Sequence, residues 1–408
     1  MKSSIFKHPP FLHFLLGRAS FSFIDSVMSV ALAWHLYQAT KDPFDLALVG
    51  LFQITPVLAL FLVTGWVVDH VSRKKILICG ALVQLAVVIS IAVIMQDPTF
   101  NKWHLLLLIS VYGTGKAFMS PALQAILPNL VTKNQLNQSL AITSTVWNIA
   151  LTVGPFVAGL LIAWVDHHVY WLLVVMSFVA FISFLRLPAI GPANHSQAGR
   201  KDLLGGFRFL KINPIVLGSL SLDLCIVLLG SVVALLPIYA ADILHVGPTG
   251  LGMLRAMPAI GAVLIGLYLS HFKSEFAHTG HTLFIALGIF ALSVITFAFS
   301  TTLWLSAVAL FVYGASDMFS VVIRSAVVQH NTPDKLRGRV SAVNSIFIAC
   351  SNQLGDFRAG SAAAALGPVN AAMLGGVCSL IIALGGALTF RDLRRLKSTI
   401  EDKNHQAT

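Results

Sequence analysis

Gly65-Trp66-Val67-Val68-Asp69-His70-Val71-Ser72-Arg73-Lys74-Lys75 joins two long apolar runs and packs a glycine, an acid and three bases into one short connection. The glycine is expected to let two helices approach closely. Asp69 and the bases Arg73, Lys74 and Lys75 are suited to bind one another or the ends of neighbouring helices. The segment therefore reads as a latch between elements that move.

Working outward, the chain is 57% apolar and 11% charged over 408 residues. Apolar runs of roughly 20 residues, the length that crosses a bilayer, recur throughout. The expected spans are 10–38, 45–69, 75–96, 103–131, 136–165, 168–187, 213–242, 248–272, 281–300, 303–331, 335–365 and 367–390. Backbone polar groups in hydrocarbon must pair within the segment, so continuous runs of this length read as helices rather than barrel strands. An all-α membrane protein with twelve transmembrane helices is expected.

The net charge of +11 is a matter of topology rather than of nucleic-acid binding. With the amino terminus inside, twenty of the 27 bases fall on cytoplasmic segments: Lys2, Lys7, Arg73, Lys74, Lys75, Lys133, Arg186, Arg200, Lys201, Arg208, Lys211, Lys273, Lys335, Arg337, Arg339, Arg391, Arg394, Arg395, Lys397 and Lys403. Only Lys41 and Lys102 fall outside. This positive-inside asymmetry predicts two cytoplasmic termini. The first span carries Arg18 and Asp25 and lacks a small-residue cleavage site, so it is expected to stay in the mature protein. Cys79, Cys225, Cys350 and Cys378 are scattered through spans and suggest neither disulfides nor a zinc site.

Sliding the chain against itself reveals a repeat. Gly17 falls on Gly218, Gly65 on Gly266, Tyr112-Gly113 on Tyr313-Gly314, Phe118 on Phe319 and Gly159 on Gly360, all at an offset of 201. Two halves follow: 1–187 and 213–390, joined by a polar linker at 188–212 and followed by a basic tail at 391–408. An amphipathic piece from Asp202 to Lys211 is expected on the membrane surface. Repeated halves of this kind place a substrate site at the bilayer midplane between them.

Ionisable groups at bilayer depth are costly and usually functional. Nine occur here: Arg18, Lys116, Arg255, Arg324 and Arg358, with Asp25, Asp223, Asp317 and Asp356. In the first span Arg18, Ser22, Asp25 and Ser29 follow the spacing of one helix face. Tyr313, Asp317, Ser320 and Arg324 repeat that spacing in the tenth span, and Tyr112, Lys116, Ser120 and Gln124 form a shorter stripe in the fourth.

Each polar stripe lies on an otherwise apolar helix, so each must meet water, substrate or an opposite charge. Arg18, Ser22, Tyr112, Lys116, Asp223, Arg255, Tyr313, Asp317, Arg324, Asp356 and Arg358 are the candidate substrate contacts. Asp25, Lys116 and Asp317 are the candidates for proton coupling, because a carboxyl that exchanges a cation neighbour between two states can take up and release a proton. Lys116 and Asp317 hold equivalent places in the two halves with opposite signs, and a pair between them is a second possibility.

His35 is expected to be simply hydrogen-bonded, and His167-His168 and His278-x-x-His281 read as solvated loops without carboxylate company, so no metal site is expected. Gly113-Thr114-Gly115-Lys116 lacks the earlier glycine and the following hydroxyl residue of a phosphate loop. No nucleophile or metal constellation suggests an enzyme.

The stretch from Gly65 to Lys75 resembles the signature loop of the major facilitator superfamily. Gly115-Lys116-Ala117-Phe118-x-x-Pro121-Ala122, Leu127-Pro128-x-Leu130-Val131, Thr332-Pro333-Asp334-x-Leu336-Arg337-Gly338-Arg339-Val340 and Leu354-Gly355-x-Phe357-x-x-Gly360 resemble its enterobactin-exporter-like branch. Gly154-Pro155-x-x-x-Gly159 is similar to the antiporter motif of facilitator exporters. His70 and Ser72 depart from the base and glycine usual in the loop, and Lys116 replaces a commonly seen arginine.

The resemblance implies two pseudo-symmetric six-helix bundles whose first, fourth, seventh and tenth spans line a central cavity, with Lys116 beside Asp25. It implies a proton-coupled antiporter of the bacterial cytoplasmic membrane that exports a siderophore or another small secreted molecule. Five intramembrane cations against four anions lean toward an anionic substrate. The expected partners are the lipid bilayer and a small-molecule substrate, without nucleic acid; the transporter is expected to be monomeric and to need no cofactor beyond the proton gradient. Broad multidrug or amphiphile efflux, and uptake of the same ligand class, stay open as alternatives.

Overall fold

The computed structural model describes residues 5, 8–97, 99–189, 203–271 and 279–395. The side chains of Asp69, Lys335, Arg337 and Arg339 lie outside the described residues, as do Lys2, Lys7, Arg200, Lys201, Lys273, His278, Lys397 and Lys403.

Every regular element among the described residues is helical. The first six long helices are α1 (Pro9–Thr40), α2 (Pro43–His70), α3 (Arg73–Ile94), α4 (Lys102–Leu130), α5 (Leu136–Val165) and α6 (Val169–Leu185). The short α7 (Leu203–Ile212) follows. Then come α8 (Pro214–Gly230), the single turn α9 (Leu236–Ile238), α10 (Gly247–His271), α11 (Thr279–Ala298), α12 (Leu303–Asn331), α13 (Asp334–Leu366), α14 (Pro368–Thr389) and the short α15 (Arg391–Arg394).

Local chemistry sets the helix starts. Pro9, Pro43, Pro214 and Pro368 open their helices, where a missing N–H is no loss and the fixed φ is already helical. The side chains of Asp42, Asn101 and Asn213 accept hydrogen bonds from the N–H groups of Phe44, Trp103 and Val216, each satisfying one of the donors a helix start leaves unpaired.

Ten stretches among the described residues are long and apolar enough to cross a membrane, and one of them, Lys133–Leu185, contains both α5 and α6. The long helix outside these stretches is α13, whose polar residues include Asp356 and Arg358. Large apolar side chains such as Trp164, Leu107 and Trp304 stay exposed, as lipid-facing surface requires.

The chain divides into two compact units. Unit 1 is Met1–His195 with Val246–Ala256, and unit 2 is Ser196–His245 with Met257–Thr408. The division falls inside the expected linker, but the first turns of α10 group with unit 1. In unit 1, α1 packs on α5 and α6, and α3 on α4 and α6; in unit 2, α8 packs on α13 and α14, and α11 on α12 and α14. The neighbour pattern repeats, and so do its contacts. A side chain at Gly17 would strike the Phe184 ring, and one at Gly218 the Phe390 ring. Gly113 lies against the backbone carbonyl of Gln53, and Gly314 against that of Pro258.

Two expectations need correction. The seventh span does not run unbroken from 213 to 242: α8 stops at Gly230, Ser231 is extended, and after a 3-10 turn and α9 the segment ends in a π-helical turn at Tyr239–Ile243. A Gly-Ser pair is a known site of helix interruption. Gly65 is not a point of close approach, since nothing among the described residues lies within 4 Å of where its Cβ would be. Gly113 has that role between α2 and α4 instead. The expected amphipathic piece is helical as α7, and its Leu210 is buried with Val216, Leu220, Val328, Val340 and Val343.

Candidate functional site

In unit 1, α1 and α4 bring their polar stripes together. The Lys116 ammonium donates to both carboxylate oxygens of Asp25 at 2.8 Å, and the Tyr112 hydroxyl donates more loosely to Oδ1 at 3.4 Å. Such charge-assisted bonds are stronger than neutral ones. The pair is still open to its surroundings, with 26% of the Lys116 side chain and 17% of Asp25 exposed.

Further along the same α1 face, Ser29 donates to the Ser26 carbonyl and accepts from Arg255 of α10 at 3.1 Å. In the other direction Ser22 is buried, and among the described residues neither its hydroxyl nor the buried Arg18 Nε has a hydrogen-bond partner. One face of α1 therefore carries a paired carboxylate flanked by polar groups whose bonding is unfilled.

The antiporter-like motif lies where α5 meets other helices of the unit. A side chain at Gly154 would strike Ser26 of α1, the residue after Asp25, and a Cβ on Gly159 would stand 2.8 Å from the Gly252 Cα in α10. Pro155 continues within α5 without an N–H to donate. In the stretch from Gly65 to Lys75, Arg73 donates to the Ala125 carbonyl of α4 at 2.8 Å, and His70 stacks on Trp66. Lys74 and Lys75 sit in the first turn of α3.

Unit 2 arranges its charges differently. Arg324 of α12 is ion-paired with Asp223 of α8, and only 3% of the Arg324 side chain is exposed. Arg324 thus points inward rather than reaching for the membrane interface. Beyond the end of α8, the Ser231 hydroxyl donates to Asp356 at 2.6 Å, and Arg358 donates to the Ser231 carbonyl at 2.9 Å. Gly375 of α14 leaves room for the Arg358 guanidinium: a Cβ there would stand 3.1 Å from both terminal nitrogens. The Tyr313 ring lies tilted against that of Phe290, with 4.4 Å between centroids.

Asp356 and Arg358 stand out in the sequence as buried charges, whereas Ser231, the residue that joins them, does not. Gly230-Ser231 inside an apolar run was the available signal. Of the two partners weighed for Lys116, Asp25 takes its hydrogen bonds. A third group lies at the end of α1, where His35 meets Tyr170 at 2.9 Å and Asp166 at 3.1 Å. His35 is hydrogen-bonded as expected, but His167 does have carboxylate company, because Asp166 next to it stands 3.6 Å away.

Twelve long helices among the described residues, in two units of repeated plan with ionisable side chains paired between helices, define a membrane transporter of the major facilitator class. The family described as transmembrane secretion effector matches residues 17–407, and the chain belongs to it. The chain is 26% identical to the enterobactin exporter EntS of Escherichia coli and to that of Escherichia fergusonii, over 96% of its own length and 94% of theirs. Among solved structures, the nucleoside transporter NupG superimposes with a TM-score of 0.74 at 15% identity, covering 93% of this chain and 99% of that one. A bacterial homolog of the human lysosomal transporter Spinster gives 0.73 at 13% identity, covering 96% and 99%. These two likenesses concern the fold. The chain is a multi-pass membrane transporter and not an enzyme.

Proposed function

We propose that this chain is a proton-coupled antiporter that exports a small, anionic, siderophore-like molecule across the bacterial cytoplasmic membrane by alternating access. Both termini face the cytoplasm, and the transporter works as a monomer. The observation that carries the proposal is the Asp25–Lys116 pair. A carboxylate held at both oxygens by one ammonium, yet partly open, can exchange that partner for a proton. Exchange follows when substrate and proton alternate at this pair: the substrate binds while Asp25 is ionised and paired, and protonation of Asp25 breaks the pair and releases the substrate.

Arg18 and Ser22 on the same helix face supply donors for an anionic substrate. The excess of intramembrane cations, and the relationship to exporters of enterobactin, support the same substrate class. Gly159 against Gly252 supports a tight helix crossing of the kind an exporter needs to prevent leakage.

The test is enterobactin flux in inside-out vesicles containing the protein. Uptake into the vesicles driven by an imposed pH gradient, and collapsed by a protonophore, is the expected result. Uptake indifferent to the gradient refutes the coupling, and flux only in the opposite direction refutes export.

A further inference from the structure

We propose that His35, Asp166 and His167 form a binding site for a divalent transition-metal ion at the end of α1, on the turn between α5 and α6. His35 lies in the second-last turn of α1, and Asp166 and His167 belong to the 3-10 turn that links α5 to α6. One ligand atom from each of the three lies within 4.8 Å of the others. The His35 Nε2 stands 3.1 Å from Asp166 Oδ1, and the His167 Nε2 stands 3.6 Å from Asp166 Oδ2. Ligands bound to one zinc at about 2.0–2.2 Å are separated by roughly 3–3.5 Å, so both histidine–carboxylate spacings lie near that range and the three groups need only draw in slightly around an ion.

The surroundings are those of a metal site. Metal-bound histidines usually hold their second ring nitrogen on a fixed partner. Here the His35 Nδ1 meets the hydroxyl of Tyr170 at 2.9 Å, and Tyr170 is fully buried. His35 itself is 3% exposed, whereas the side chains of Asp166 and His167 are 66% and 41% exposed, which gives an ion a way in.

A hydrogen-bonded His35–Asp166 pair alone accounts for less. It gives no role to His167, whose ring lies 4.2 Å from that of His35. A shared ion explains why two imidazoles and a carboxylate converge. Two nitrogens and one oxygen are a donor set for zinc, cobalt or nickel rather than for magnesium or calcium, which prefer all-oxygen shells. The remaining coordination position is left to water. An ion here would fasten α1, the helix that carries Asp25, to the α5–α6 turn. On the proposed topology, with the amino terminus in the cytoplasm, this end of α1 faces outward; binding of the ion does not depend on that reading.

The experiment is titration of tag-free, full-length protein in detergent with zinc chloride against a chelating indicator, alongside thermal unfolding with and without zinc. Saturable binding of one zinc with a raised melting temperature is expected, and magnesium should do neither. Asp166→Asn, at an exposed position, and His167→Ala, at a half-buried one, should abolish the binding, and Tyr170→Phe should weaken it about 10-fold or more, as loss of an outer-shell partner does. His168→Ala, a neighbouring histidine outside the cluster, should leave it unchanged. Absence of saturable zinc binding by the unmodified protein, or binding that survives both Asp166→Asn and His167→Ala, overturns the proposal.

Discussion

The two units share a helix plan but not a charge plan. In unit 1 the pair Asp25–Lys116 keeps 17% and 26% of its side chains exposed, while in unit 2 the pair Asp223–Arg324 keeps 10% and 3%. The repeat offset of 201 puts Asp223 opposite Ser22, and Arg324 opposite Leu123. At 3.6 residues per turn, the second pair is therefore shifted by about one to two helical turns from the level of the first. The difference separates two uses of a buried ion pair. A pair that remains accessible can change partners, whereas one sealed among helices fastens them.

Breaking the sealed pair gives the largest stability effect. Arg324→Met strands a buried Asp223 and is expected to cost about 3–5 kcal/mol, the usual penalty for removing one partner of a buried pair. Denaturant unfolding in detergent checks this, and adding Asp223→Leu should recover much of the loss. Equal losses from Arg324→Met and Lys116→Met would erase the distinction between the units.

Next in size are the repeat glycines. Gly113→Ala and Gly314→Ala each drive a methyl into a backbone carbonyl, and about 1–3 kcal/mol of destabilisation is expected from such overpacking. Folded yield and melting temperature should fall for both, which tests whether the contact is equivalent in the two units. Ser231→Ala removes one hydrogen bond to Asp356 and should cost about 1–2 kcal/mol, the net worth of one such bond. The smallest effect belongs to Gly65→Ala, which meets open space and should stay within about 0.5 kcal/mol.

Much of the fold was legible because apolar run length and repeat spacing depend on the bilayer and on helix geometry, both of which are readable along one chain. The stripe containing Asp25 and the one containing Lys116 were legible for the same reason. Partner choice was less so. Arg324 finding Asp223, and Arg358 finding a carbonyl freed by the break at Ser231, depend on helix rotation and on a local interruption that hydropathy does not record. The carboxylate beside His167 was one residue away in sequence, but its approach to His35 required α1 to end against the α5–α6 turn. Gly65 shows the opposite error: a small residue suits a close crossing, but only the packing decides whether a helix is there.

The most direct test of the account is proton movement during enterobactin transport by Asp25→Asn in proteoliposomes with an internal pH dye. The account predicts that this variant carries enterobactin down its own gradient without opposing proton flux and without response to an imposed pH gradient. Proton-driven accumulation at the unmodified protein's level would contradict it.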